Sequence, residues 1–167
     1  MGAHLLRFHA NLPHEESEIL HRLTALPSMR RFMDGLEPET PLPTRQALHG
    51  LEGLLLVPTV QHWQLLNAAM LLGRHQNGDG GVWAYLSTDA KDTVAVDATA
   101  QAVRVWSIVD AKRFYGEIKK ALGYLDDQFE DAGLKDPTDG KRATHASLFA
   151  LQAASFAERG GNPSELI

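Results

Sequence analysis

Three side chains far apart in this sequence have the types for acid–base work: Asp97, His145 and Arg45. A carboxylic acid is a useful proton donor when an apolar surround keeps it neutral and a neighbouring imidazole fixes its orientation. Asp97 is the candidate acid and His145 its candidate orienter. Arg45 is a candidate to hold substrate, and its alternative is an ion pair with Asp97 that would leave the acid as a charged acceptor rather than a donor. Each residue also has a plainer reading: an acid near a helix start favours the positive end of the helix dipole, and a single histidine is commonly a satisfied core or surface residue. The aromatic side chains Trp83, Trp106 and Phe149 are candidates to line an apolar cavity and stabilise a cation there, Trp106 having interhelical core as its alternative.

The elements that must position these groups are helices, because apolar residues recur at helical spacing in five or six segments and almost never alternate as strands do. A first amphipathic helix is predicted over residues 15–32, with Ile19, Leu20, Leu23 and Leu26 on one side and Pro27 kinking or splitting it. A linker over 34–43 follows, containing three prolines. Thr44 is a plausible N-cap for a helix through Leu56, and Thr59 for the next, to about His75. Gln76-Asn77-Gly78-Asp79-Gly80-Gly81 then breaks the helical pattern, its glycines supplying positive-φ positions. Further helices are predicted over about 93–109, 112–128 and 142–158, with a second turn at 130–140.

Laying the chain on itself shows a repeat. The turns beginning at Gln76 and Gln128 align at an offset of 52 residues. The helices that follow align as Thr44-Arg45-Gln46-Ala47-Leu48, Val96-Asp97-Ala98-Thr99-Ala100 and Thr144-His145-Ala146-Ser147-Leu148, at offsets of 52 and 48. The predicted fold is therefore all-α, one domain over 1–167 of three stacked helical hairpins (about 15–57, 59–109 and 112–158). In a curved stack equivalent positions lie at one level, which places Arg45, Asp97 and His145 together on the concave wall.

Gln76, Gly80 and Trp83 follow a QxxxGxW pattern with one extra residue before the tryptophan, and the next helix carries Asp97-Ala98-Thr99-Ala100. Together these segments resemble the QW-type repeat of squalene and oxidosqualene cyclases, over residues 59–157 and more weakly over 15–57. The resemblance implies the α/α toroid that those cyclases share with prenyltransferase β subunits, and a structural role for Gln76 and Trp83 in tying neighbouring hairpins. It also implies that Asp97 occupies the proton-donor position of class II terpene cyclases acting on an isoprenoid-like substrate by cyclisation or isomerisation. Ala95 and Ala98 stand where the DxDD form has further acids, so the match is to the single-Asp version. Asp126-Asp127-Gln128-Phe129-Glu130-Asp131 resembles the magnesium-binding box of class I terpene synthases, but the second metal motif is missing and the same residues serve as the second turn. With no cysteine, the chain lacks the zinc ligands of the prenyltransferases and every disulfide or thiol chemistry. No metal or other cofactor is expected.

A net charge of −5 speaks against a phosphate-binding surface, so no nucleic-acid partner is expected. No apolar run reaches the ~20 residues of a membrane span, and no secretory leader is recognisable, which predicts a cytoplasmic protein. One toroid takes about six hairpins where this chain supplies three, so a homodimer that joins two arcs is the expected assembly. The second functional reading is a non-catalytic module that binds a small hydrophobic molecule or a partner protein in its concave groove.

Overall fold

The computed structural model describes residues 27–55, 60–87, 93–130, 133–134, 147–148, 150–152 and 154–155. The chain is mostly helical with a small antiparallel sheet content. In chain order the described elements are α1 (Pro27–Met33), β1 (Leu42–Pro43), α2 (Thr44–Leu54), α3 (His62–Arg74), β2 (Tyr85–Leu86), α4 (Val96–Asp110), α5 (Tyr115–Asp127), β3 (Phe129–Glu130) and β4 (Gly133–Leu134). The described residues from 147 to 155 are helical as well.

The all-α expectation is corrected by the two antiparallel pairs, Leu42–Pro43 with Tyr85–Leu86 and Phe129–Glu130 with Gly133–Leu134. Two residues per strand are too few to show alternation in a sequence, and the first pair forms between segments 43 residues apart along the chain. Pro27 is the first described residue of α1, where its missing N–H and fixed φ are tolerated. The helix closes in a Schellman arrangement: Leu36 N–H bonds Arg31 C=O, Gly35 N–H bonds Phe32 C=O, and Gly35 takes φ 74°. Residues 15–26 of the predicted first helix lie outside the described residues. Thr44 does not cap α2. Its hydroxyl donates to Trp83 C=O at 2.6 Å and its N–H to Ala84 C=O at 2.9 Å, so the threonine ties the helix start to the loop instead of to its own first turn. Thr59 is outside the described residues, and Gln61 at the start of α3 makes no side-chain cap.

At the centre lies α4, packed against α2, α3 and α5 and buried on almost every side. Its alanines 98, 100 and 102 let neighbouring backbones approach closely, while α2 contributes Ala47, Leu48, Leu51 and Leu54, and α3 Leu65, Ala68, Ala69, Leu71 and Leu72. Trp106 sits in this core, its indole N–H donating to Ala69 C=O at 3.0 Å and its ring stacked on Phe114.

The glycine turn lies between α3 and α4. Asn77 Oδ1 accepts the Gly81 N–H and Asn77 N–H bonds Gly81 C=O, both at 2.8 Å. Gln76 Nε2 donates to Gly80 C=O within the turn and to Glu117 C=O in α5, each at 2.9 Å. One amide therefore fixes the turn's shape and docks it on α5. Gly80, at φ 99°, presses its α-carbon against the α5 backbone.

Candidate functional site

Helices α2 and α4 lie side by side and parallel, and their contacts fall at one constant offset. Arg45 Nη1 is 3.2 Å from Asp97 Oδ2; Gln101 Nε2 is 3.1 Å from His49 Nδ1; Arg104 Nη1 is 3.5 Å from Glu52 Oε1. Positions 45, 49 and 52 share one face of α2, and 97, 101 and 104 the matching face of α4, each pair 52 residues apart. The repeat thus places equivalent positions at equal heights, and the seam between the two helices is a ladder of three polar pairs.

The ladder changes character along its length. At its N-terminal end Asp97 is 26% and Arg45 57% exposed. Asp97 Oδ1 also accepts the Ala98 N–H at 2.8 Å, in the first turn of α4 where the helix dipole favours a negative charge. An ion pair this open to water contributes about 0–1 kcal/mol. Asp97 is the acceptor in both of these contacts. Further along, Glu52 and Arg104 are both buried, and His49 Nδ1 lies 3.9 Å from Glu52 Oε2. This buried half of the seam is not among the residues expected to matter. The signal for it was present, since His49/Gln101 and Glu52/Arg104 continue the 52-residue offset four and seven positions after Arg45/Asp97.

Trp83 lies beside the exposed end. Its backbone pairs with Val94, its N–H bonds His75 C=O, and its C=O takes the hydroxyl of Thr44, next to Arg45. Thr99 of the Asp-x-Thr-Ala segment accepts Val82 N–H at 2.9 Å and donates to Ala95 C=O at 2.8 Å. Residues 82–84 thereby strap the starts of α2 and α4 together. The structure thus brings Arg45, Asp97 and Trp83 to the N-terminal end of α2 and α4. Trp106 belongs to the packed core nearer the other end of α4, and His145 and Phe149 lie outside the described residues.

That other end carries a cavity of about 370 Å³ bounded by Ser107, Ala111, Tyr115, Ile118, Lys119, Leu122 and Ala154. It opens between the end of α4, helix α5 and the helical residues around 154, ten residues or ~15 Å along α4 from Asp97. Its walls are aliphatic, apart from the buried Ser107, the exposed Tyr115 and Lys119 at the rim.

Asp126 and Asp127 are exposed at the end of α5; Asp131 and the side chain of Glu130 lie outside the described residues. Among the described residues no three His, Asp or Glu side chains converge as a metal site, and no helix is long and apolar enough to cross a membrane. The chain matches no protein-family model, no curated protein and no solved structure.

Proposed function

We propose that this chain is a helical-hairpin module, an arc of the α/α toroid type, that binds a small hydrophobic molecule. The supporting observation is the cavity beside α5: at about 370 Å³, with Ala111, Ile118, Leu122 and Ala154 as walls, it falls within the ~300–1,000 Å³ of small-molecule sites. This site lies between successive hairpins rather than on the polar seam of the inner helices. Class II cyclisation by Asp97 is the competing reading, and the Arg45–Asp97 ion pair weighs against it because it holds the carboxylate as an acceptor.

Titration of the purified protein with farnesol should give saturable binding that Ile118→Trp, which fills the cavity, weakens at least tenfold and Asp97→Asn leaves unchanged. Absence of saturable binding would sink the proposal. A cyclised product formed from a farnesyl or longer isoprenoid by the parent protein and lost in Asp97→Asn would replace it with the catalytic reading.

The homodimer belongs to the same proposal. Leu148 and Leu151, three residues apart on the last helical stretch, are exposed at 55% and 60%, an apolar edge suited to a second copy of this arc. Light scattering should give twice the chain mass at micromolar concentration, falling to the monomer in Leu148→Glu/Leu151→Glu. A monomeric parent protein would refute it.

A further inference from the structure

The cavity beside α5 is apolar inside and cationic at its mouth. Tyr115, Ile118, Lys119 and Leu122 follow one another at helical spacing and form the α5 wall. Ile118 is buried and Leu122 half-buried, whereas Tyr115 and Lys119 are exposed, so this wall passes from dry to wet. A lysine that lines an apolar space lays its stem along the wall and keeps its ammonium in water. The charge of Lys119 therefore stands at the mouth.

Its own helix offers that charge no partner. The positions one turn away on α5, 115, 116, 122 and 123, are Tyr, Gly, Leu and Gly, and among the described residues no carboxylate forms an ion pair with Lys119. Of the two acids within 110–122, Glu117 leans on α3, its Cγ 3.6 Å from where a Cβ on Gly73 would stand, and Asp110 accepts the Arg113 N–H at 2.9 Å. The next acid on this face, Asp126, is two turns or ~10 Å further along α5. Arg113 itself turns to Met70 of α3, so the exposed cations left in this stretch are Lys112, Lys119 and Lys120. The chain as a whole carries −5, and here the sign is reversed.

Resting on the hydrophobic-ligand reading above, we infer that the cavity takes a single-chain amphiphile with an anionic head, a medium-chain carboxylate, and that Lys119 selects the sign of the head. The hydrocarbon covers Ala111, Ile118, Leu122 and Ala154, which removes apolar surface from water. The carboxylate stays at the mouth, hydrated and beside the ammonium, so no charge is buried. A neutral head gains nothing from Lys119, and a cationic head meets a like charge.

The test compares decanoate, 1-decanol and decylammonium on the full-length protein at neutral pH, by chemical-shift changes at the amides of Ala111, Ile118 and Leu122. Decanoate should bind about two- to fivefold more tightly than 1-decanol, the fold-change of an exposed ion pair, and decylammonium more weakly than both. Raising the ionic strength from ~0.01 to ~1 M, which shortens the Debye length about tenfold, should erase this order. In Lys119→Gln the preference for decanoate should shrink to less than about twofold, and in Lys119→Glu decylammonium should become the tightest of the three. Affinity for 1-decanol should stay within about twofold of the parent in both variants, because the exchanged side chain is exposed. Equal binding of decanoate and 1-decanol to the parent protein, or a decanoate preference that survives Lys119→Glu, would overturn selection by Lys119 and leave the hydrophobic-ligand reading standing. If none of the three shifts these amides, both fall.

Discussion

Gly80→Ala is expected to destabilise the fold by about 3–5 kcal/mol, a large part of the ~5–15 kcal/mol that holds a domain of this size. Two costs coincide at this position. Gly80 holds φ 99°, which an L side chain adopts only under strain, and an added Cβ would lie 2.1 Å from the carbonyl oxygen of Lys120 and 2.5 Å from its carbon. The obstacle is helix backbone, which cannot turn aside as a flexible side chain can. Relief therefore requires moving the turn off α5, breaking the bond from Gln76 Nε2 to Glu117 C=O. Gly78 supplies the control in the same turn: it has no heavy atom within 4 Å of a built Cβ and no positive φ, so Gly78→Ala should shift stability by less than about 1 kcal/mol. Urea unfolding followed by tryptophan fluorescence measures both. Similar midpoints for the two variants would show that the turn does not pack on α5.

Breaking the buried rung of the seam should cost nearly as much. Arg104→Met leaves the Glu52 carboxylate in a nearly dry position without its guanidinium, 3.5 Å away in the parent, and removal of one partner of a buried pair typically costs about 3–5 kcal/mol. Glu52→Leu should be destabilising for the mirror-image reason. The double variant Glu52→Leu/Arg104→Met should recover most of the loss, because two apolar side chains in place of a buried ion pair are commonly neutral or better. Thermal unfolding of the four proteins gives the coupling directly. Single variants that each lose under 1 kcal/mol would mean that water reaches the pair. The exposed rung offers the contrast: the same chemistry at Arg45–Asp97, open to solvent, is worth little.

The contrast between the two rungs also bears on function. The seam's charged residues face one another across the two helices. The cavity beside α5 is by contrast open and mostly apolar in its lining.

The helices α2 to α5, the glycine turn and the 52-residue offset between α2 and α4 were legible in the residues, because apolar spacing and helix-breaking glycines act locally. The repeat even carried the pairing of Arg45 with Asp97, since equivalent positions on parallel helices stand at equal height. His49/Gln101 and Glu52/Arg104 were readable by the same rule carried two turns further. Other features were decided only by the tertiary structure. Periodicity tells which face of α4 a residue occupies, but α4 is packed against α2, α3 and α5, so almost every face is an inside face and Trp106 is core. Thr44 looks like a cap until the strap at 82–84 takes its hydroxyl, a contact made across 39 residues of chain. The cavity around Ser107 is bounded by residues as distant as Ala154 and has no trace in any single segment. Local sequence sets backbone conformation within a few residues, whereas burial, ion-pair strength and cavities arise from which surfaces meet, and that is settled by packing over the whole chain.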